Sequence, residues 1–147
     1  MSTFFSLNCH VIFSTKYRKP RIHDSWIQRL HEYLGGTVRG LEAIPLSVGG
    51  VADHVHLLMG LKTTHRICDV MCELKKQSSA WVHETLNEKG FQWQEGYAAF
   101  TVSPTSCGNV SRYIAGQAEH HKKVSFEVEI KELLRRAGVE FDPKYLK

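Results

Sequence analysis

Apolar and polar positions alternate from the seventh residue onward. Leu7, Cys9, Val11 and Phe13 are set against Asn8, His10, Ile12 and Ser14, the period of a β-strand with one buried face. His10 falls opposite the apolar set. From Asp24, a residue suited to an N-cap, Ile27, Leu30, Leu34 and Val38 recur at helical spacing until Gly40. Ile44, Leu46 and Val48 then alternate up to Gly49-Gly50, which reads as a turn into another strand. In that strand, Ala52-Asp53-His54-Val55-His56-Leu57-Leu58-Met59, alternation puts His54, His56 and Leu58 on one face and Val55, Leu57 and Met59 on the other.

A second helix is predicted from about Thr64, with Ile67, Val70, Met71, Leu74, Trp81 and Val82 inward, ending between Asn87 and Gly90. Tyr97 to Ser103 reads as a strand. Pro104 and Gly108 break the chain, Asn109 to Lys123 reads as a third helix, and Ser125 to Ala137 as a fourth that stops at Gly138. Strand, helix, strand, strand, helix, strand is the ferredoxin-like α+β plan. The expectation is an antiparallel sheet of four to five strands, with helices packed on one face and a C-terminal helix, in a single domain over 1–147. The other sheet face would be left for a ligand, and it would carry His54, His56 and His10.

Composition narrows the class. A chain of 147 residues with 42% hydrophobic and 23% charged positions is long enough to bury one core. Met1 to Ser6 has no basic leader and no apolar run reaches membrane-spanning length, so a cytoplasmic protein with no membrane partner is expected. Cys9, Cys68, Cys72 and Cys107 are scattered, against a zinc ribbon or disulfide framework and for reduced thiols. The net charge of +4 is modest, yet Lys16, Arg18, Lys19 and Arg21 crowd around Tyr17. This is either a solvated loop or a patch for an anionic backbone with a stacked base.

Two imidazoles one dipeptide apart can hold one cation and leave positions open for a substrate oxygen and water. An exposed or hydrogen-bonded pair is the plainer reading. In the third helix Val110, Tyr113, Ile114, Gln117 and His121 share a side, with Tyr113 and Gln117 adjacent at i, i+4. A phenol titrating near pH 10 is a weak nucleophile unless a cation or base assists it. A glutamine amide oxygen is a neutral, hard donor able to join two imidazoles around a divalent ion. Without the histidines, a Tyr packed at the helix edge beside a solvated Gln would suffice.

The chain resembles the single-tyrosine HUH transposases, the small enzymes of bacterial insertion sequences and their repeat-associated domesticated relatives. The residues that carry the resemblance are His10-Val11-Ile12-Phe13-Ser14-Thr15-Lys16-Tyr17-Arg18-Lys19-Pro20, Asp53-His54-Val55-His56-Leu57-Leu58, Trp93 to Ser103, and Tyr113-Ile114-Ala115-Gly116-Gln117-Ala118-Glu119-His120-His121-Lys122-Lys123. Their order spans essentially the whole chain.

The resemblance implies a metal site of His54, His56 and Gln117, holding Mg2+ or Mn2+, and Tyr113 as nucleophile. Donor chemistry alone favours zinc, manganese or iron. The implied activity is cleavage and rejoining of single-stranded DNA through a 5′-phosphotyrosine, at hairpin-marked element ends, by a homodimer in which Tyr113 completes its own or its partner's site. Lys16, Arg18, Lys19, Lys75, Lys76 and Arg112 are the expected contacts to the DNA backbone, with Lys122 and Lys123 more ordinary surface residues. Trp81, Trp93 and Tyr17 are either core or stacking platforms, and His120 and His121 read as solvated or structural. Gly116 departs from the larger polar residue expected beside the ligand and costs the helix about 1 kcal/mol relative to Ala. A non-catalytic single-stranded nucleic-acid-binding module on a bare sheet face is the alternative, and a metal-dependent hydrolase using water, without Tyr113, is a third.

Overall fold

The computed structural model describes residues 1–146. Four strands, β1 (Leu7–Ser14), β2 (Ile44–Val51), β3 (His54–Leu61) and β4 (Ala98–Val102), form one antiparallel sheet in the order β2-β3-β1-β4. Helices α1 (Ile27–Gly40) and α2 (Ile67–Thr85) supply the crossovers, and α3 (Cys107–Ala115), α4 (Gln117–His120) and α5 (Phe126–Arg136) follow the last strand. The ferredoxin-like α+β plan stands, with four strands.

The odd positions of β1 and β3, among them Val11, Phe13, Val55, Leu57 and Met59, form one apolar cluster with Leu30, Leu34 and Val38 of α1 and Val70, Met71, Leu74 and Val82 of α2. The alternation dictates this face, and burying such side chains stabilises by about 1.5–3 kcal/mol each. β3 is hydrogen-bonded on both sides, to β2 and β1, so His54 and His56 ride on a strand held along both edges.

Three local expectations are corrected. The β2–β3 turn lies at Ala52-Asp53, not Gly49-Gly50, because both glycines continue β2: Gly49 pairs with His56 and Gly50 with Val55. Their lack of side chains serves close approach instead. A Cβ on Gly49 would stand 2.4 Å from the Ile114 carbonyl oxygen, and Gly50, at φ +149°, would place one 2.3 Å from that of His54. The third helix begins at Cys107, takes Gly108 into its first turn, and is divided at Gly116, with φ −90° and ψ 12°, into α3 and α4.

The histidine face is not bare. α3 and α4 lie across it, through the Gly49–Ile114 contact and through Gln117, and α5 closes over them with Glu129 and Ile130 buried. α5 itself follows the sequence closely: Ser125 caps it, accepting from the Val128 amide at 3.3 Å, and Gly138 at φ +70° ends it. Asp24, by contrast, sits in a turn, and α1 starts at Ile27 with Trp26 in the cap position.

Candidate active site

β3 presents His54 and His56 inward, both with 0% exposure, and β1 adds His10. Each imidazole is oriented by a partner on its far nitrogen. His54 Nδ1 lies 2.7 Å from Asp53 Oδ1, and His56 Nδ1 lies 2.8 Å from His10 Nε2. Orientation of this kind is what a metal-binding histidine requires. Their Nε2 atoms converge on one carboxylate: Glu129 Oε1 is 3.0 Å from His56, 3.4 Å from His54 and 3.1 Å from His121.

α3 and α4 bring up the other predicted pair. The Gln117 side-chain oxygen lies 3.1 Å from His54 Nε2 and 2.8 Å from His121 Nε2, while its amide donates to Glu129 Oε2 at 2.9 Å. The Tyr113 hydroxyl donates to the same Glu129 Oε2. Its ring stands edge-on to His56 and His10, with centroids at 5.7 Å and 6.4 Å. Tyr113, Gln117, His54 and His56, chosen from separate parts of the sequence, therefore meet in one place within one chain. His120 Nε2 stands 3.2 Å from Glu129 Oε2 without hydrogen-bond geometry.

Burial and pairing shape the charges. Burial pulls the His54 imidazole down, but hydrogen bonds to Asp53 and Glu129 and their charges override it and push the pKa up to about 9. Burial prevails at His56, which is lowered, and at His10, held at about 4 by burial and by the neighbouring His56. Glu129 is buried, yet bonds from His54 and His56, the His56 charge and the Tyr113 hydroxyl hold it well below the usual carboxylate range. Burial, then the bond to Glu129 and its charge, push the Tyr113 phenol well above its ordinary value.

The donors fit a divalent cation. One ligand atom from each of His54, His56, His121 and Glu129 lies within 4.8 Å of the others, and the Gln117 oxygen faces two of those imidazoles. Three imidazoles, a carboxylate and an amide oxygen suit manganese, iron or zinc by softness, with the two oxygens also acceptable to magnesium. Sequence reasoning missed Glu129 and set His121 aside as solvated or structural. The readable signal was helical spacing alone: Gln117 and His121 are i, i+4 on the Tyr113 side, and Glu129 lies on the buried stripe of α5 with Ile130.

The basic set is divided. Lys16 and Arg18 lie in a single 3-10 turn after β1, where Tyr17 and Arg18 adopt left-handed φ of 58° and 51° and Tyr17 is 69% exposed. Arg18 reaches the site's edge, its guanidinium 5.4 Å from the Phe126 ring centroid, and that ring packs on His54. Lys19 follows the turn, and Lys76 and Arg112 are exposed. Lys75 is otherwise engaged, its ammonium donating to the Gln94 and Gly96 carbonyls at 2.8 and 2.5 Å. Trp93 belongs to the interior, edge-on to Phe13 and donating to Ser78 Oγ at 2.9 Å, and Trp81 stacks on Tyr33. A cleft of about 1400 Å³ between α3 and the end of α5 opens onto His10, Tyr113, His120 and Glu129.

A family model described as "Transposase IS200 like" matches residues 3–117. The chain belongs to the IS200-like transposase family. Relatives include the ISDra2 transposase TnpA of Deinococcus radiodurans, 29% identical over 127 residues, covering 81% of this chain and 88% of that one. The transposase for insertion sequence element IS200 of Salmonella typhimurium is 30% identical over 130 residues, covering 78% and 80%. Among solved structures, a protein of Deinococcus radiodurans R1 described as a transposase superposes with TM-score 0.64 at 25% identity, over 80% of this chain and 95% of its own. A REP-associated tyrosine transposase bound to a REP hairpin shares the fold, with TM-score 0.61 at 15% identity over 84% and 76%. The transposase has no helix among its described residues long and apolar enough to cross a membrane.

Proposed function

We propose that this transposase cuts and rejoins single-stranded DNA with Tyr113 as the nucleophile, at hairpin-marked ends of a mobile or domesticated element. The observation that carries the reading is the convergence of the Tyr113 hydroxyl and the Gln117 amide with His54 and His56 on one buried carboxylate. The covered histidine face removes the main support of the binding-module alternative, a bare sheet open to bases. That one solved relative is bound to a REP hairpin supports a hairpin as the element of recognition here.

His54, His56 and Gln117, flanked by His121 and Glu129, would hold a divalent ion, Mg2+ or Mn2+. When bound, that ion supplies positive charge at a non-bridging oxygen of the scissile phosphate. Tyr113 attacks phosphorus in line, its Oη–P bond forming as the P–O3′ bond breaks. The phenol proton passes to Glu129 Oε2, which accepts from it, and O3′ takes a proton from water, so that the released strand leaves as a 3′-hydroxyl. A 5′-phosphotyrosine remains on the protein. Because one phosphodiester replaces another, a 3′-hydroxyl from a different strand reverses the step and joins DNA without ATP. Most of the acceleration falls to alignment, as a held nucleophile converts a bimolecular step into a unimolecular one. Lys16, Arg18, Lys19, Lys76 and Arg112 hold the strand by its phosphates, and Lys75 contributes through the loop it fastens. We further read the working form as a cytoplasmic homodimer, with Tyr113 serving the histidines of its own chain, as its contact with His56 favours.

Incubation with single-stranded DNA carrying imperfect hairpins from the flanks of the coding region, with Mg2+ or Mn2+, tests this on a denaturing gel. A protein–DNA adduct that vanishes in Tyr113→Phe is expected. Binding with no adduct on any such hairpin would leave the module reading, and cleavage surviving Tyr113→Phe would mean a hydrolase.

A further inference from the structure

We propose that Glu129 of α5 is a positioning residue that couples occupation of the histidine metal site to placement of the nucleophile. This rests on the metal-site reading above and goes beyond it, because it makes α5 part of the active centre. α5 lies past residue 117, where the family match ends.

Glu129 is 3% exposed and its two oxygens do different things. Oε1 faces the Nε2 atoms of His56, His121 and His54 at 3.0, 3.1 and 3.4 Å. Oε2 accepts from the Tyr113 hydroxyl and from the Gln117 amide. A carboxylate is a rigid plane, so one oxygen cannot be drawn towards a cation among the imidazoles without turning the other. The Tyr113 hydroxyl donates to no other group among the described residues, and the Gln117 oxygen is itself turned towards His54 and His121. Movement at the imidazole side therefore reaches the phenol through Glu129, both directly and by way of the Gln117 amide that shares its Oε2. A carboxylate that merely fastened α5 would need neither the bond to Tyr113 nor a place among three imidazoles, since Ile130 and the Phe126 ring on His54 already seat the helix.

The test places 3-fluorotyrosine at position 113 of the full chain and titrates Mg2+, a diamagnetic probe, while the fluorine signal and the His54 and His56 imidazole signals are followed by NMR. In the wild type both sets shift with the same midpoint. In Glu129→Gln, which keeps size and an acceptor oxygen but removes the charge, the imidazoles still respond to Mg2+ and the fluorine signal does not. Single-turnover adduct formation then falls about 10²-fold, as expected for a misplaced nucleophile, with DNA affinity within about twofold of wild type. Glu129→Asp, which keeps the charge but withdraws it by one methylene, serves where the amide variant fails by circular dichroism, and it too is expected to lose the fluorine response. A fluorine shift that persists without Glu129 overturns the coupling. So does a wild type in which the imidazoles move and Tyr113 does not, leaving the metal site standing. If Mg2+ moves neither, the metal reading and the coupling fall together.

Discussion

Gly49→Ala is the substitution with the clearest geometric consequence for activity. Gly49 lies in β2 opposite His56, under the C-terminal turn of α3. A methyl group there would stand 2.4 Å from the Ile114 carbonyl oxygen and 2.9 Å from its Cγ2, against the 3.4 Å at which ordinary contact begins. About 1 Å must therefore be found. The obstructing atom is backbone and cannot swing aside, and β2 is held along its length by β3, so the helix is the partner that yields. Ile114 adjoins Tyr113, and the displacement is handed to Tyr113, the proposed nucleophile. Overpacking of this size costs roughly 1–3 kcal/mol of stability. A 1 Å misplacement at a reacting group costs about 10²-fold in rate, or about 2.7 kcal/mol of barrier.

The assay is single-turnover adduct formation at saturating DNA, beside urea unfolding. Gly60→Ala on β3 is the control, because its methyl group would meet nothing nearer than 3.6 Å. The expected outcome is a Gly49→Ala protein that folds and binds DNA yet reacts about 10²-fold more slowly, with Gly60→Ala close to wild type in rate. A Gly49→Ala rate within about twofold of wild type would refute the claim that this contact sets the position of Tyr113.

Other outcomes follow from charge and burial. His54 carries a proton up to a pKa of about 9, and a metal must displace it, so Mn2+ affinity is expected to rise about tenfold per unit between pH 7 and 9, with proton release seen by calorimetry in two buffers. Asp53→Asn should flatten that rise, and affinity independent of pH in the wild type would contradict it. His31, its Nε2 buried without a partner, is held at about 4 by burial, below its ordinary 6.5. The unfolded chain then binds the extra proton, so this contribution is complete above pH 6.5 and is lost as pH falls towards 4, by up to about 3 kcal/mol. Urea midpoints of His31→Leu should show less acid sensitivity across that window. Replacing Lys16, Arg18 and Lys19 by Ala should lower the slope of log affinity for single-stranded DNA against log salt by about 2, at about 0.7 per phosphate contact.

Period and spacing made much of this legible. Alternation through Leu7 to Phe13 and Val55 to Met59 predicted the core face, and with it the side on which the histidines lie. Tyr113 and Gln117 at i, i+4 announced their own proximity even though Gly116 bends the helix between them. What stayed hidden required tertiary contact. Gly49-Gly50 looked like a turn because a strand glycine and a turn glycine have the same letter, and only the approach of Ile114 shows what the missing side chain is for. Glu129 looked like one acidic residue in a charged amphipathic helix, since nothing local says that a carboxylate will be buried against three imidazoles. The covered face was missed for the same reason, because the strand and helix order fixes the sheet but not where a trailing helix docks.

The two halves of the site are built with unequal rigidity. His54 and His56 are fixed by a central strand, hydrogen-bonded on both sides and backed by the apolar core, and their rings are pinned by Asp53 and His10. Sites on such elements hold their geometry closely. Tyr113 and Gln117 ride instead on helices that follow the edge strand β4, divided at Gly116, and they are held at the site by the approach over Gly49 and by the bonds to Glu129. Strand transfer asks for this asymmetry. On the proposed mechanism a cation at the histidines has the same task in cleavage and in rejoining, whereas the tyrosine must accept one strand end and later yield it to another. Mutations that loosen β3 should therefore abolish metal binding and both steps together, while those at Gly49 or Glu129 should leave the imidazoles in place and slow only the chemistry that passes through Tyr113.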